Sequence, residues 1–216
     1  MKVVAVFSGG GAKAIAHAGA WRAISEAGHQ VTHIVATSFG AVIGAMFAAG
    51  SSYDDLIRNT TGLQTRDVAP IDLLGLVKGM FAAAILKPEP LRRTIARLVP
   101  AQRFADLRIP LTVTTTDLDS GEQVVFPGDG RRETDVPLQD VLYASCALPL
   151  YYPPLQIDGR RLGDGGIRVD IAIESFKFKE GNRIESGWVD RPGTWGGTKG
   201  AEQIQAGVAS RRQVIG

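Results

Sequence analysis

Residues 34–45 read Ile-Val-Ala-Thr-Ser-Phe-Gly-Ala-Val-Ile-Gly-Ala, with one serine, Ser38, where a β-branched run gives way to small residues. A serine at a tight strand-to-helix bend is lifted clear of both elements. Such a bend needs small side chains two residues before and two after it; here they are Ala36 and Gly40. Taken alone, a serine in this kind of turn is more often a helix N-cap. A second stretch, Ser8-Gly9-Gly10-Gly11-Ala12-Lys13, joins the first β-rich run to the first helical pattern. Glycines at such a junction leave backbone N–H groups bare and able to converge on an anion. A nucleophile beside a nest of donors is the arrangement that acyl transfer requires.

Other readings of the glycines compete. Gly9 to Ala14 also fits a dinucleotide-binding fingerprint, but that fingerprint wants an acidic residue after the second strand. Ala36-Thr37-Ser38 stands there instead. No Gly-Lys-Ser/Thr follows at the spacing of a phosphate-binding loop. A plain tight turn remains open.

A serine nucleophile needs a base. His17, His29 and His33 all precede Ser38, which rules out the order serine, acid, histidine of α/β-hydrolases. The three histidines read as ordinary structural or surface residues. The best carboxylate is Asp164, in Leu162-Gly163-Asp164-Gly165-Gly166. Its glycine neighbours let backbone and solute approach closely. An aspartate closing an Asx-turn is the commoner explanation of such a pattern taken alone.

The elements that must hold these residues alternate. Lys2 to Phe7 reads as a strand, Ala12 to Ala27 as a helix with Ala16, Ala20, Ala23 and Ala27 on one face, and Gly28 as its C′ residue. Val31 to Ala36 and Ala41 to Ala49 repeat the pattern, closed by Gly50. This order predicts a parallel sheet wrapped by helices. Parallel strands end on one edge, so the glycine loop and Ser38 should share a crevice. Residues 71–99 read as helical with a break at Lys87-Pro88-Glu89-Pro90, and residues 111–126 as two strands about a Ser-Gly turn. Pro137 marks a helix start. Asp158-Gly159 is the two-residue turn of a hairpin. From about Phe176 the chain becomes glycine-rich and lacks the β-branched run a further strand would need. Loops, disorder or one helix near residues 201–210 are expected there.

Composition bounds the rest. With 216 residues, 44% hydrophobic and 21% charged, the chain has the make-up of one globular domain with a sizeable core. A formal charge of +2 gives no electrostatic reason to expect nucleic acid. The pairs Arg92-Arg93, Arg131-Arg132 and Arg160-Arg161 read as solvated faces, with contact to anionic headgroups the minority reading. The single Cys146 excludes an internal disulfide. The start runs directly into strand and glycines, without the apolar region of a signal peptide. The longest apolar stretch, residues 71–86, is interrupted by Asp72 and Lys78 and too short to span a bilayer. It reads equally as a buried helix or as a segment that lines an acyl pocket or touches a lipid surface. The expected location is cytoplasmic.

Four stretches together resemble the patatin-like phospholipase family: residues 8–14, 36–41, 144–155 and 163–167, with residues 114–122 similar to the strand and turn between them. The resemblance covers Lys2 to about Ile171. It implies a three-layer α/β/α sandwich with a mainly parallel central sheet over residues 1–175, followed by a poorly matching tail, 176–216. It also implies a serine acyl-ester hydrolase of lipid substrates with Ser38 as nucleophile and Asp164 as base. Gly9, Gly10 and Gly11 would supply the oxyanion donors. Lys13, Gly40, Gly165 and Gly166 would support the site. No cofactor and no metal are implied. The partners would be an acyl-ester or phospholipid substrate, with peripheral contact at a membrane and self-association as further expectations. Ala14 and Ala36 stand where the family has glycine, and they leave open a catalytically silent member that binds acyl ligands.

Overall fold

In β1 (Lys2–Phe7) every residue from Val3 onward is buried. A strand buried at consecutive positions is covered on both faces, as in a sheet between two layers. The computed structural model describes residues 1–69, 84–127, 135–168 and 183–186. After β1 come α1 (Ala16–Glu26), β2 (Gln30–Thr37), α2 (Phe39–Ala48), α3 (Tyr53–Thr61), a single turn α4 (Thr65–Val68) and α5 (Pro88–Leu98). β3 (Leu111–Asp117), β4 (Gln123–Phe126), α6 (Leu138–Cys146), β5 (Leu155–Ile157), β6 (Arg160–Asp164) and β7 (Arg183–Ser186) follow. The architecture is α/β of the three-layer α/β/α kind. Its sheet is parallel across β7-β1-β2-β3 and antiparallel where β4, β6 and β5 join.

Three local outcomes differ from the sequence reading. The helix expected from Ala12 starts at Ala16, because residues 11–15 form a 3₁₀ turn. Gly10 (φ 131°) and Gly11 (φ 56°) enter that turn in conformations that favour glycine, and Lys13 N–H donates to Gly10 O at 3.1 Å. The break expected across Lys-Pro-Glu-Pro lies just ahead of it: residues 84–87 are not helical, and the helix runs from Pro88. Lys87 is the N-cap of α5 and both prolines fall in its first turn, where a missing N–H costs nothing. The tail, expected to carry no strand, contributes β7, which pairs parallel to β1 from Val3↔Arg183 to Val6↔Ser186. Edge pairing recruits backbone groups, so it needs no β-branched run. Residues 70–83, most of the apolar stretch, lie outside the described residues, as do Arg131-Arg132 and the tail helix expected near residues 201–210.

The core forms where α1 and α2 meet β1 and β2. The His17 ring stacks on Phe7 at 4.7 Å between centroids, and Trp21 stacks on Phe47 at 4.4 Å. Of the four alanines on the expected face, Ala16, Ala20 and Ala23 are buried, while Ala27, at the C-cap of α1, is exposed. A Cβ on Gly44 of α2 would lie 3.0 Å from Ile34 Cγ2 and 3.4 Å from the Ala36 methyl. The glycine thus lets α2 ride close over β2, and the methyl of Ala36 occupies room that a larger residue at 44 would need.

Register on β3 brings the site together. On β3, β2 pairs with Leu111–Thr114, β6 with Thr115–Asp117 and β4 with Val113–Thr116. β4 overlaps both of the others, and a strand has two edges. β2 and β6 therefore share one edge of β3 and meet end to end. β2 runs parallel to β3 and β6 antiparallel, so their C-terminal ends face each other. Thr37 pairs with Thr114 and Asp164 with Thr115.

Candidate active site

Ser38 follows directly from the end of β2 and occupies the position before α2, with φ 53° and ψ −136°. A non-glycine residue in that region carries backbone strain, characteristic of a side chain aimed by a sharp turn. No side-chain capping bond accompanies it, which removes the N-cap explanation. Its Oγ instead donates to Asp164 Oδ2 at 2.7 Å. The two residues lie 126 positions apart, and the end-to-end meeting of β2 and β6 accounts for their contact.

Asp164 is buried. Its other oxygen, Oδ1, accepts from Gly166 N–H at 2.7 Å, and its own N–H donates to Ala147 O at 2.9 Å. The Asx-turn foreseen as the plain alternative is therefore present, and it serves to aim Oδ2 at Ser38. Gly165 is needed for this path. A Cβ there would lie 2.7 Å from Thr114 Oγ1 and nearer still to Thr114 O.

The glycine loop lies against the serine. A Cβ on Gly9 would approach Ser38 Cβ to 3.2 Å and Ser38 Oγ to 3.8 Å. Gly40 is equally constrained, because a Cβ would meet Phe7 O at 2.9 Å and Ser8 O more closely. Both small positions of the bend thus have a packing cause: Gly40 against the end of β1, Ala36 against Gly44. Lys13 lies in the 3₁₀ turn, half-buried.

Two residues at the site escaped the sequence reading. Ser145, fully buried in α6, accepts from Ser38 N–H at 2.8 Å and donates to Thr114 O at 2.8 Å. It ties the strained bend to the central strand. It belongs to a stretch singled out only as a family segment, and no local pattern marks its role. Its neighbour Cys146 is also buried against the pair. Burial first, and then the Asp164 carboxylate, push its thiol well above the ordinary range, against a hydrogen bond with Ser38. It stays a neutral thiol.

The histidines are elsewhere occupied. His17, read as a surface or partly buried residue, is fully buried, and Nε2 donates to Ser8 O at 3.0 Å. Burial lowers its pKa to about 4, opposed by that bond. It remains neutral and holds the carbonyl that precedes the glycine loop. His33 Nε2 lies 2.8 Å from Thr112 Oγ1, and burial lowers its pKa. His29 Nδ1 lies 3.5 Å from the N-terminal amine. None of these contacts reaches Ser38. Among the described residues, no group of three metal-ligating side chains converges. No helix among them is long and apolar enough to cross a membrane.

Comparison with known proteins bears on the family and the fold. An uncharacterized NTE family protein of Mycobacterium tuberculosis is 32% identical over 166 residues, covering 77% of this chain and 43% of its own. The uncharacterized protein YqhO of Bacillus subtilis is 29% identical over 195 residues, covering 82% of this chain and 67% of that one. Mouse patatin-like phospholipase domain-containing protein 7 is 32% identical over 170 residues, which span 76% of this chain and 12% of the relative. The chain thus spans less than half of the mycobacterial protein. Among solved structures, the type III effector protein ExoU superposes with a TM-score of 0.53 at 18% identity, over 99% of this chain and 52% of its own, a likeness of fold. A sequence profile described as Patatin-like phospholipase matches residues 5–176, most of the chain. The chain belongs to the patatin-like phospholipase family.

Proposed function

We propose that the protein is a serine acyl hydrolase of lipid esters, working through Ser38 and Asp164. The observation that carries the reading is the 2.7 Å hydrogen bond from Ser38 Oγ to a buried Asp164 Oδ2, beside a glycine loop so close that a Cβ on Gly9 would lie 3.2 Å from Ser38 Cβ. Asp164 takes the Ser38 proton as Oγ attacks the ester carbonyl carbon. Main-chain N–H groups of Gly9, Gly10 and Gly11 receive the negative charge that develops on the carbonyl oxygen. The tetrahedral intermediate then expels the alcohol, which leaves with the proton held by Asp164. A water molecule gives a proton to Asp164 and attacks the acyl-serine, and the acid is released as Ser38 regains its proton. Membership of a family described as phospholipases supports a lipid ester as substrate.

Each supporting residue has a task in this scheme. Gly166 N–H fixes the rotamer of the base. Gly40 and Gly165 admit backbone where a side chain would collide. Lys13 adds positive charge beside the loop. The first test is hydrolysis of p-nitrophenyl esters graded from short to long acyl chains. Activity that is lost in Ser38→Ala is expected. A folded wild-type protein that hydrolyses none of them would leave the silent, ligand-binding alternative.

A further inference from the structure

Exposed large apolar side chains are few on the described surface: Met1, Leu148, Leu150, Tyr151 and Ile167. All but the terminal methionine cluster along the chain beside the Ser38–Asp164 pair. Leu148, Leu150 and Tyr151 follow α6 directly after Ser145 and Cys146. Ile167 follows Gly166, whose N–H holds Asp164. Ala147 O, accepting from Asp164 N–H, joins the two segments.

The 148–151 segment is built to display these side chains. Leu150 has φ 70°, a region a leucine occupies only under strain, yet it is 75% exposed. The Leu150 side chain itself buries little in return. The backbone is pinned by Ile85 N–H to Leu150 O at 3.0 Å, Leu86 N–H to Tyr151 O at 2.7 Å and Tyr151 N–H to Leu148 O at 3.2 Å. Tyr152 turns inward and is buried, its hydroxyl donating to Val68 O. The turn is thus held firmly while its leucines and Tyr151 face water. Cations border it in sequence: Arg168 is exposed beside Ile167, and Lys87 is exposed beside Leu86.

We propose that Leu148, Leu150, Tyr151 and Ile167 form the surface by which the protein docks on a phospholipid bilayer. Apolar tips flanked by positive charge match an interface of acyl chains under phosphate headgroups. The position beside Ser38 supplies the reason for docking, and in this respect the inference rests on the proposed hydrolase activity. An acyl ester leaving the bilayer reaches the serine across these residues without passing through water.

The test uses the full chain with vesicles of phosphatidylcholine, with and without phosphatidylglycerol. Leu150→Asn replaces the apolar tip with a residue that tolerates positive φ, so its thermal midpoint should equal or exceed that of the wild type. Tyr151→Ser is the second variant. Each should lower the vesicle partition coefficient about tenfold, the effect of withdrawing one large apolar side chain from hydrocarbon. Arg168→Gln should weaken binding about fivefold, and only where phosphatidylglycerol is present. The ratio of turnover on vesicle-borne ester to turnover on monomeric short-chain ester should fall with the partition coefficient. Unchanged partitioning in folded Leu150→Asn and Tyr151→Ser would overturn the proposal. So would sedimentation showing a wild-type dimer that these variants dissociate, since the surface would then serve a second copy. Vesicle binding without hydrolysis of any ester would overturn the hydrolase reading and leave the docking surface standing.

Discussion

Removing the Ser145 hydroxyl should disable the site without touching either member of the pair. Ser145 Oγ satisfies two main-chain groups at once, Ser38 N–H and Thr114 C=O, both at 2.8 Å. Ser145→Ala removes this partner from both groups. Each such group costs about 1–3 kcal/mol, so the variant should lose about 3 kcal/mol of stability. For a chain of this size that lowers the thermal midpoint by about 6–12 °C. The activity loss should exceed what unfolding explains. Ser38 is held in a strained conformation, and freeing its N–H lets the bend relax. A displacement of about 1 Å costs roughly a hundredfold in rate. The assay is steady-state hydrolysis of a short-chain p-nitrophenyl ester, well below the variant's midpoint. A drop in kcat with little change in KM is expected, because Ser145 is fully buried and does not reach substrate. Wild-type kcat in a folded Ser145→Ala protein would refute the positioning argument.

Other consequences follow from the same geometry. Gly40→Ala drives a methyl into the carbonyls of Phe7 and Ser8, so thermal melts should show a loss of about 3 kcal/mol or no folded protein. Cys146 should resist iodoacetamide in the folded protein and react on denaturation, because its buried thiol stays protonated. His17 titrates near 4 when folded, against an ordinary 6.5. The unfolded chain therefore binds the extra proton between those values, and stability rises with pH across them. The contribution is complete above pH 6.5 and lost as pH falls through about 4, about 3 kcal/mol in all. Denaturant titrations of His17→Phe should show a flatter acid limb than the wild type.

Some of this was legible in the residues. Ser38 and Gly40 announce a tight bend because steric demands are local, and a bend leaves small residues at fixed offsets. Asp158-Gly159 announces its hairpin for the same reason, with φ 49° and 79° at the two positions. The contact between Ser38 and Asp164 was not legible from spacing. It depends on β2 and β6 sharing one edge of β3, a choice made by long-range pairing; the family resemblance supplied it instead. Ala36 looked like a defect in the bend until Gly44 appeared opposite its methyl. Ser145 left no local trace, since a serine within a helix is ordinary until its partners are known. β7 carries no such signal, because Arg-Ile-Glu-Ser pairs with β1 through its backbone and has no run of β-branched residues to announce it.

The central claim is that Asp164 activates Ser38. The direct measurement is the rate of fluorophosphonate labelling, with the modified residue located by mass spectrometry, in the wild type and in Asp164→Asn. The account predicts a single adduct on Ser38 in the wild type and at least a roughly hundredfold slower reaction in the folded variant. Labelling at another residue, or equal rates in the two proteins, would contradict it.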